Sequence, residues 1–213
     1  MGISIQTVQF LNESNRIEGI SSIDYSNRAF QDPSKGHYGA YCLSQRVAVN
    51  HQPLSVKMIR SWQGLLCKEQ QESSGVAIAD EEIGHIRNPS LPKNVRIGKH
   101  VPPHYTNVPN LLQMLVEDIN EDLAKHHTEY EADNEAFVRS AGSFFLKFEK
   151  IHPFADGNGR VGRLIANYFA TYCNKPILIF PSEYSLRNRY IEAHENEEAM
   201  TTYFQARLNE AFL

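Results

Sequence analysis

Residues 159–172 are apolar on nearly every side, with Val161, Leu164, Ile165, Ala166, Tyr168 and Phe169 spread around the whole circumference of a helix. Such a helix has no polar face to offer water, so other elements must enclose it. The rest of the chain can supply them. Leu111, Leu112, Leu115, Ile119 and Leu123 recur at helical spacing, as do Val138, Ala141, Phe145 and Phe148. Ile5, Val8 and Leu11 predict a short first helix ending near Gly19. Two more are expected over 38–49 and 56–67, separated by His51-Gln52-Pro53, and two near 182–196 and 200–212 close the chain. The character changes at residues 84–103, where Pro89, Pro92, Gly98, Pro102 and Pro103 surround an alternating Val95, Ile97 and Val101. That pattern suits a small β-hairpin or an ordered loop. The expected fold is mainly α, built on a central buried helix with one hairpin.

At 213 residues and 41% hydrophobic, the chain can bury the core of one domain. A formal charge of −4 argues against a protein that neutralises many nucleic-acid phosphates. No apolar run approaches the roughly 18 residues of a membrane helix. The opening Met1-Gly2-Ile3-Ser4-Ile5-Gln6 lacks the regions of a signal peptide, so a cytoplasmic setting is expected. Cys42, Cys67 and Cys173 are odd in number and widely spaced, which suggests buried thiols in a reducing compartment. His126, His127 and Glu129 have metal-binding chemistry, but an exposed turn is the simpler reading.

His152-Pro153-Phe154-Ala155-Asp156-Gly157-Asn158-Gly159-Arg160-Val161-Gly162-Arg163 makes poor sense as plain architecture. Asp156 suits a helix N-cap, and the helix is expected to begin there. Its first turns would then hold three glycines, each costing about 0.8–1.0 kcal/mol relative to Ala. Arg160 and Arg163 would share a face near the positive helix end, where cations are disfavoured. A polyphosphate relieves these penalties together. It accepts bonds from the free N–H groups, the glycines allow close approach, and the arginines become counter-charges. Asp156 could hold a Mg²⁺ between two phosphates, and His152 could act as a base. Gly157-x-Gly159-x-x-Gly162 also matches the dinucleotide fingerprint, with 177–180 and Glu183 as a mimic of the second strand and its acid. Pro153 and the absence of βαβ units argue against that reading.

These twelve residues resemble the signature of the Fic (Fido) family, histidine-Pro-Phe-x-Asp/Glu-Gly-Asn-Gly-Arg-x-x-Arg, at every specified position. The resemblance implies a helical fold that moves AMP from ATP to a Ser, Thr or Tyr hydroxyl of a target protein. It implies that His152 is the base, Phe154 the loop's structural anchor and Asp156 the Mg²⁺ ligand. Gly157, Asn158 and Gly159 would form the anion hole, Arg160 would support the phosphates, and Arg163 would hold the γ-phosphate. Tyr190 and Asn196 fall where the family lines its adenine pocket, although Tyr190 equally suits a helix-packing position. Residues 82–101 would be the flap on which a target protein docks.

Ser14-Asn15-Arg16-Ile17-Glu18-Gly19 resembles the family's inhibitory pattern Ser/Thr-x-x-x-Glu-Gly/Asn. By that resemblance Glu18 would pair with Arg163 and leave ATP bound unproductively. Residues 1–30 would carry the brake and 31–213 the catalytic unit. Another nucleotide donor such as UTP or CDP-choline, removal of AMP, and a non-enzymatic nucleotide-binding module all stay open. So does assembly into a homo-oligomer. No nucleic-acid or membrane partner is expected.

Overall fold

The computed structural model describes residues 3–75, 77–88 and 100–212. Among them eight α-helices follow in order: α1 (Ile5–Ile17), α2 (Gly36–Val49), α3 (Val56–Ser73), α4 (Val108–Ala132), α5 (Asn134–Ile151), α6 (Asn158–Tyr172), α7 (Tyr184–Ala193) and α8 (Glu197–Ala211). Short 3-10 turns stand at Arg28–Phe30 and Asp80–Glu82. The chain is mainly helical, as its periodicity implies.

The centre is α6. It touches α1, α2, α3, α4 and α5, and thirteen of its fifteen residues are buried. Val161, Leu164, Tyr168 and Ala170 are fully enclosed. Each large apolar side chain so buried contributes about 1.5–3 kcal/mol. Outside this centre, α4 packs along α5, and α8 lies against α5 and α7.

The first helix forms where expected but turns a different face inward. Ile5 is 84% exposed, whereas Phe10 and Leu11 are fully buried together with Thr7, Ser14 and Asn15. These positions follow the i, i+3, i+4, i+7 pattern, with polar residues included in it. Asn12 adds a tether: its Oδ1 accepts from the Tyr25 amide at 2.9 Å and its Nδ2 donates to Asp24 at 2.7 Å. Thus α1 shares the core of the helices that follow it.

The hairpin expected within 84–103, and with it most of the flap expected over 82–101, falls largely on residues 89–99, which lie outside the described residues. Among the described residues no extended strand forms, so the dinucleotide reading has no sheet to rest on. Residues 177–180 are held instead by the Asn167 side chain of α6, which both accepts from and donates to the Leu178 backbone. His126 and His127 lie on α4 and not in a turn, with His126 exposed and 3.3 Å from Glu129. Among the described residues no group of three or more His, Cys, Asp or Glu could hold a metal, and no helix is long and apolar enough to cross a membrane.

Candidate active site

The segment between α5 and α6 is fixed at both ends by unusual backbone. His152 closes α5 in the left-handed region, at φ 48°. That position normally favours glycine, and Pro153 then prevents the helix from continuing. Gly157 opens α6 as its N-cap, also left-handed at φ 81°. A Cβ there would lie 2.9 Å from Leu66 Cδ1, so both the conformation and the space call for glycine.

The helix therefore begins one step later than expected. Asp156 is not the N-cap; its Oδ1 accepts from the Gly157 amide just outside the helix. Only Gly159 and Gly162 then carry the helix-interior cost. Phe154 is fully buried and anchors the segment. Asn158 spends its side chain on that anchor: Oδ1 accepts from Phe154 N and Nδ2 donates to Phe154 O, both at 2.9 Å. An anion-binding contribution from Asn158 is thus left to its backbone N–H.

The two arginines diverge. Three residues place them about 60° apart around the helix, and their long side chains leave in different directions. Arg160 is 1% exposed and donates from Nη2 to Gln70 Oε1 on α3, with Asp156 at 3.5 Å. Its buried Nε has no hydrogen-bond partner among the described residues. Arg163 is fully buried and points to α1 and α7. Its Nε donates to Ser14 Oγ at 2.9 Å, and Nη2 donates to Ser14 O at 2.8 Å and to Glu18 Oε1 at 2.7 Å. Nη1 donates to the Tyr190 hydroxyl at 3.1 Å. Burial raises the Glu18 carboxyl, but the Arg163 charge and hydrogen bond outweigh it and hold the group below its ordinary value. Burial likewise disfavours the Arg163 charge, and Tyr190 and Glu18 more than restore it.

A cleft of about 800 Å³ opens beside this pair, walled by Glu18, Glu149, His152, Gly159, Tyr190 and His194. Of the residues singled out from sequence, His152, Gly159, Tyr190 and Glu18 line it, with Arg163 behind them. Asn196 does not. It is exposed and caps α8, its Oδ1 accepting from the Ala199 amide at 2.9 Å. Burial, with help from the Arg87 charge, pushes the His152 imidazole down to about 4, so the ring is neutral at pH 7. Its Nδ1 is buried without a partner among the described residues, which leaves Nε2 as the nitrogen available to a substrate. Asp156, with 39% of its side chain exposed, is a single hard carboxylate. Such a donor fits a Mg²⁺ that arrives with phosphates and keeps its waters, not one caged by protein.

The family model described as "Fic/DOC family" matches residues 53–170. The chain belongs to the Fic/DOC family. Similar solved structures agree on the fold. A Fic domain containing signaling protein from Bacteroides thetaiotaomicron superposes with a TM-score of 0.72 at 18% identity, covering 96% of this chain and 84% of that one. Fic-1 from C. elegans gives 0.66 at 18% identity, over 97% of this chain and 61% of its own. A Fic family protein from Desulfovibrio desulfuricans gives 0.54 at 19% identity, over 96% and 64%. A ribonucleoside-diphosphate reductase small chain of Ostreid herpesvirus 1 is 36% identical over 83 residues, which span 38% of this Fic chain and 14% of the viral protein.

Sequence reasoning overlooked four residues. Ser14 was visible only as part of the inhibitory pattern, yet it supplies two of the Arg163 acceptors. Gln70 and Arg87 reach the loop from distant segments and carry no local signal. Glu149 had one: it lies four residues after Phe145 and eight after Ala141, on the inward face of α5.

Proposed function

We propose that this Fic domain transfers AMP from ATP to a Ser, Thr or Tyr hydroxyl of a target protein, and that Glu18 restrains it. The observation that carries the reading is the Arg163 fork closed on a carboxylate at 2.7 Å beside a neutral imidazole. An arginine buried at the start of a helix is arranged for an anion. Glu18 would be the internal stand-in for the γ-phosphate.

In the active form the triphosphate replaces Glu18 on Arg163. The N–H groups at the start of α6 and the bare Cα of Gly159 receive the phosphate oxygens, with Arg160 behind them and Gly157 setting the turn that presents those N–H groups. His152 Nε2 takes the proton of the target hydroxyl as that oxygen bonds to the α-phosphorus. The bond from the α-phosphorus to the bridging oxygen breaks, and pyrophosphate leaves. Asp156 would hold Mg²⁺, which when bound offsets phosphate charge. Tyr190 would border the base, and the target would dock on segment 82–101 as an added strand. A cytoplasmic setting suits three cysteines that are all unpaired.

Glu18→Gly is expected to raise AMP incorporation at least about tenfold, the effect of removing roughly 1.4 kcal/mol of competition. His152→Ala in that background should lower it at least about a hundredfold, as loss of a general base does. Labelled ATP, with the protein alone or with a lysate, measures both. No gain from Glu18→Gly would remove the brake, and label persisting without His152 would remove the mechanism. UTP and CDP-choline in parallel test the donor.

A further inference from the structure

Glu149 stands in the last turn of α5 and takes no part in the chemistry above. It is 7% exposed, and its Oε1 is buried without a hydrogen-bond partner among the described residues. A polar atom left in that state costs about 1–3 kcal/mol. Nevertheless the side chain lines the cleft next to His152 and Gly159. It is held there from α6: Oε1 lies over the bare Cα of Gly162, where a Cβ would collide with it and stand 3.1 Å from Phe145 Cε2. The neighbouring cation does not relieve it. Nε and both Nη atoms of Arg163 are engaged by Ser14, Tyr190 and Glu18.

We propose that Glu149 is a nucleotide-binding residue, a neutral carboxyl that donates a hydrogen bond to a phosphate oxygen when a polyphosphate displaces Glu18 from Arg163. The proposal rests on the reading of this cleft as a nucleotide site. Charge decides the chemistry of the partner. Burial and the Glu18 carboxylate hold Glu149 protonated up to about pH 8, against the pull of Arg163. A phosphate in place of Glu18 puts negative charge at the same point, so the carboxyl keeps its proton and presents an O–H. Only an acceptor can use that group. An ionised carboxylate here would repel the ligand that Arg163 attracts. The other ionisable groups lining the cleft are Lys150 on α5 and His152 at its C-cap, Arg187 and Tyr190 on α7 and His194 at its C-cap, His100 before α4, and Glu195 after α7.

Removing Glu18 makes the role measurable. In Glu18→Gly burial still favours the protonated form, but the Glu18 charge that adds to it is gone and Arg163, kept only by Ser14 and Tyr190, has no carboxylate partner, so Glu149 ionises more readily at mildly alkaline pH. Binding Mg-ATP then returns the proton. At pH 7.5 the His152 and His194 rings, both held below their ordinary value by burial, do not titrate. Calorimetric titration of Mg-ATP in two buffers of different ionisation enthalpy should show uptake of about 0.3–1 proton per nucleotide by Glu18→Gly. Glu18→Gly/Glu149→Gln, neutral at every pH, should take up none and bind at least as tightly. Glu18→Gly/Glu149→Ala should bind about tenfold more weakly. Adenosine, which has no phosphate, should cause no uptake. Equal proton uptake with Glu and Gln at position 149, or uptake with adenosine, overturns the proposal alone. Failure of Glu18→Gly to bind Mg-ATP overturns it together with the nucleotide reading.

Discussion

Glu18 sits where an acid is unwelcome on local grounds. It is the C-cap of α1, and a negative charge at that end of a helix costs about 0.3–1 kcal/mol. Its position is nonetheless set by backbone geometry. Gly19, at φ 76°, turns the chain, while the amides of Gly19 and Ile20 donate to Arg16 O and Asn15 O, each at 3.0 Å. This double closure fixes where the carboxylate leaves the helix. Opposite it stands Gly159, where a Cβ would overlap Glu18 Oε1 and lie 3.0 Å from Arg163 Nη1. Gly159→Ala is therefore expected to lower Tm in the natural chain. In Glu18→Gly the same substitution should cost at least about 1 kcal/mol less, the coupling seen between touching residues. Thermal melts of the four variants check it, and equal penalties in both backgrounds would separate Gly159 from the carboxylate.

The connection from α5 to α6 depends on a side chain from elsewhere. Arg87 donates from Nε to His152 O at 2.7 Å, and from Nη2 to Ile151 O at 3.3 Å and Pro103 O at 3.0 Å. Its own amide donates to Pro153 O at 2.8 Å. These bonds satisfy carbonyls that the end of α5 would leave open, and they hold His152 in its left-handed turn. Arg87→Ala should lower AMP transfer by Glu18→Gly about 10–100-fold with helix content unchanged by circular dichroism. An unaltered rate would show that the loop holds its shape without the clamp. None of this was legible, because residues 87 and 152 are linked only through the folded chain. The helices themselves were legible wherever apolar residues repeat every three or four positions. On α1 that rule pointed at Ile5 because the inward face spends Ser14 and Asn15, polar residues, at core positions. Asn196 looked like a pocket residue but serves as a cap, a role its type and the following Glu197-Glu198 also fit.

Across the whole molecule, buried ionisable groups set opposing pH dependences. His37 and His152 are held neutral by burial, below the ordinary 6.5, so the stability they contribute is present above that value and lost as pH falls. Glu149 acts in the other direction. Its folded value of about 8 exceeds the ordinary 4.5, so the folded chain holds a proton that the unfolded chain releases, and stability declines as pH rises between those values. Above pH 6.5 the histidines no longer offset it. Melts should show a loss of about 2 kcal/mol between pH 6.5 and 8, flattened by Glu149→Gln. A natural chain as stable at pH 8 as at 6.5 would contradict the protonated carboxyl.

Glu18 and Arg163 belong to one chain, 145 residues apart in sequence, and α1 is packed into the same core as α6. Their meeting therefore does not depend on how concentrated the protein is. Dilution, which dissociates a separate inhibitor, leaves this contact untouched. Any anion seeking the guanidinium meets a rival at fixed effective molarity, and the handicap yields only to more ligand or to something that lifts the first helix.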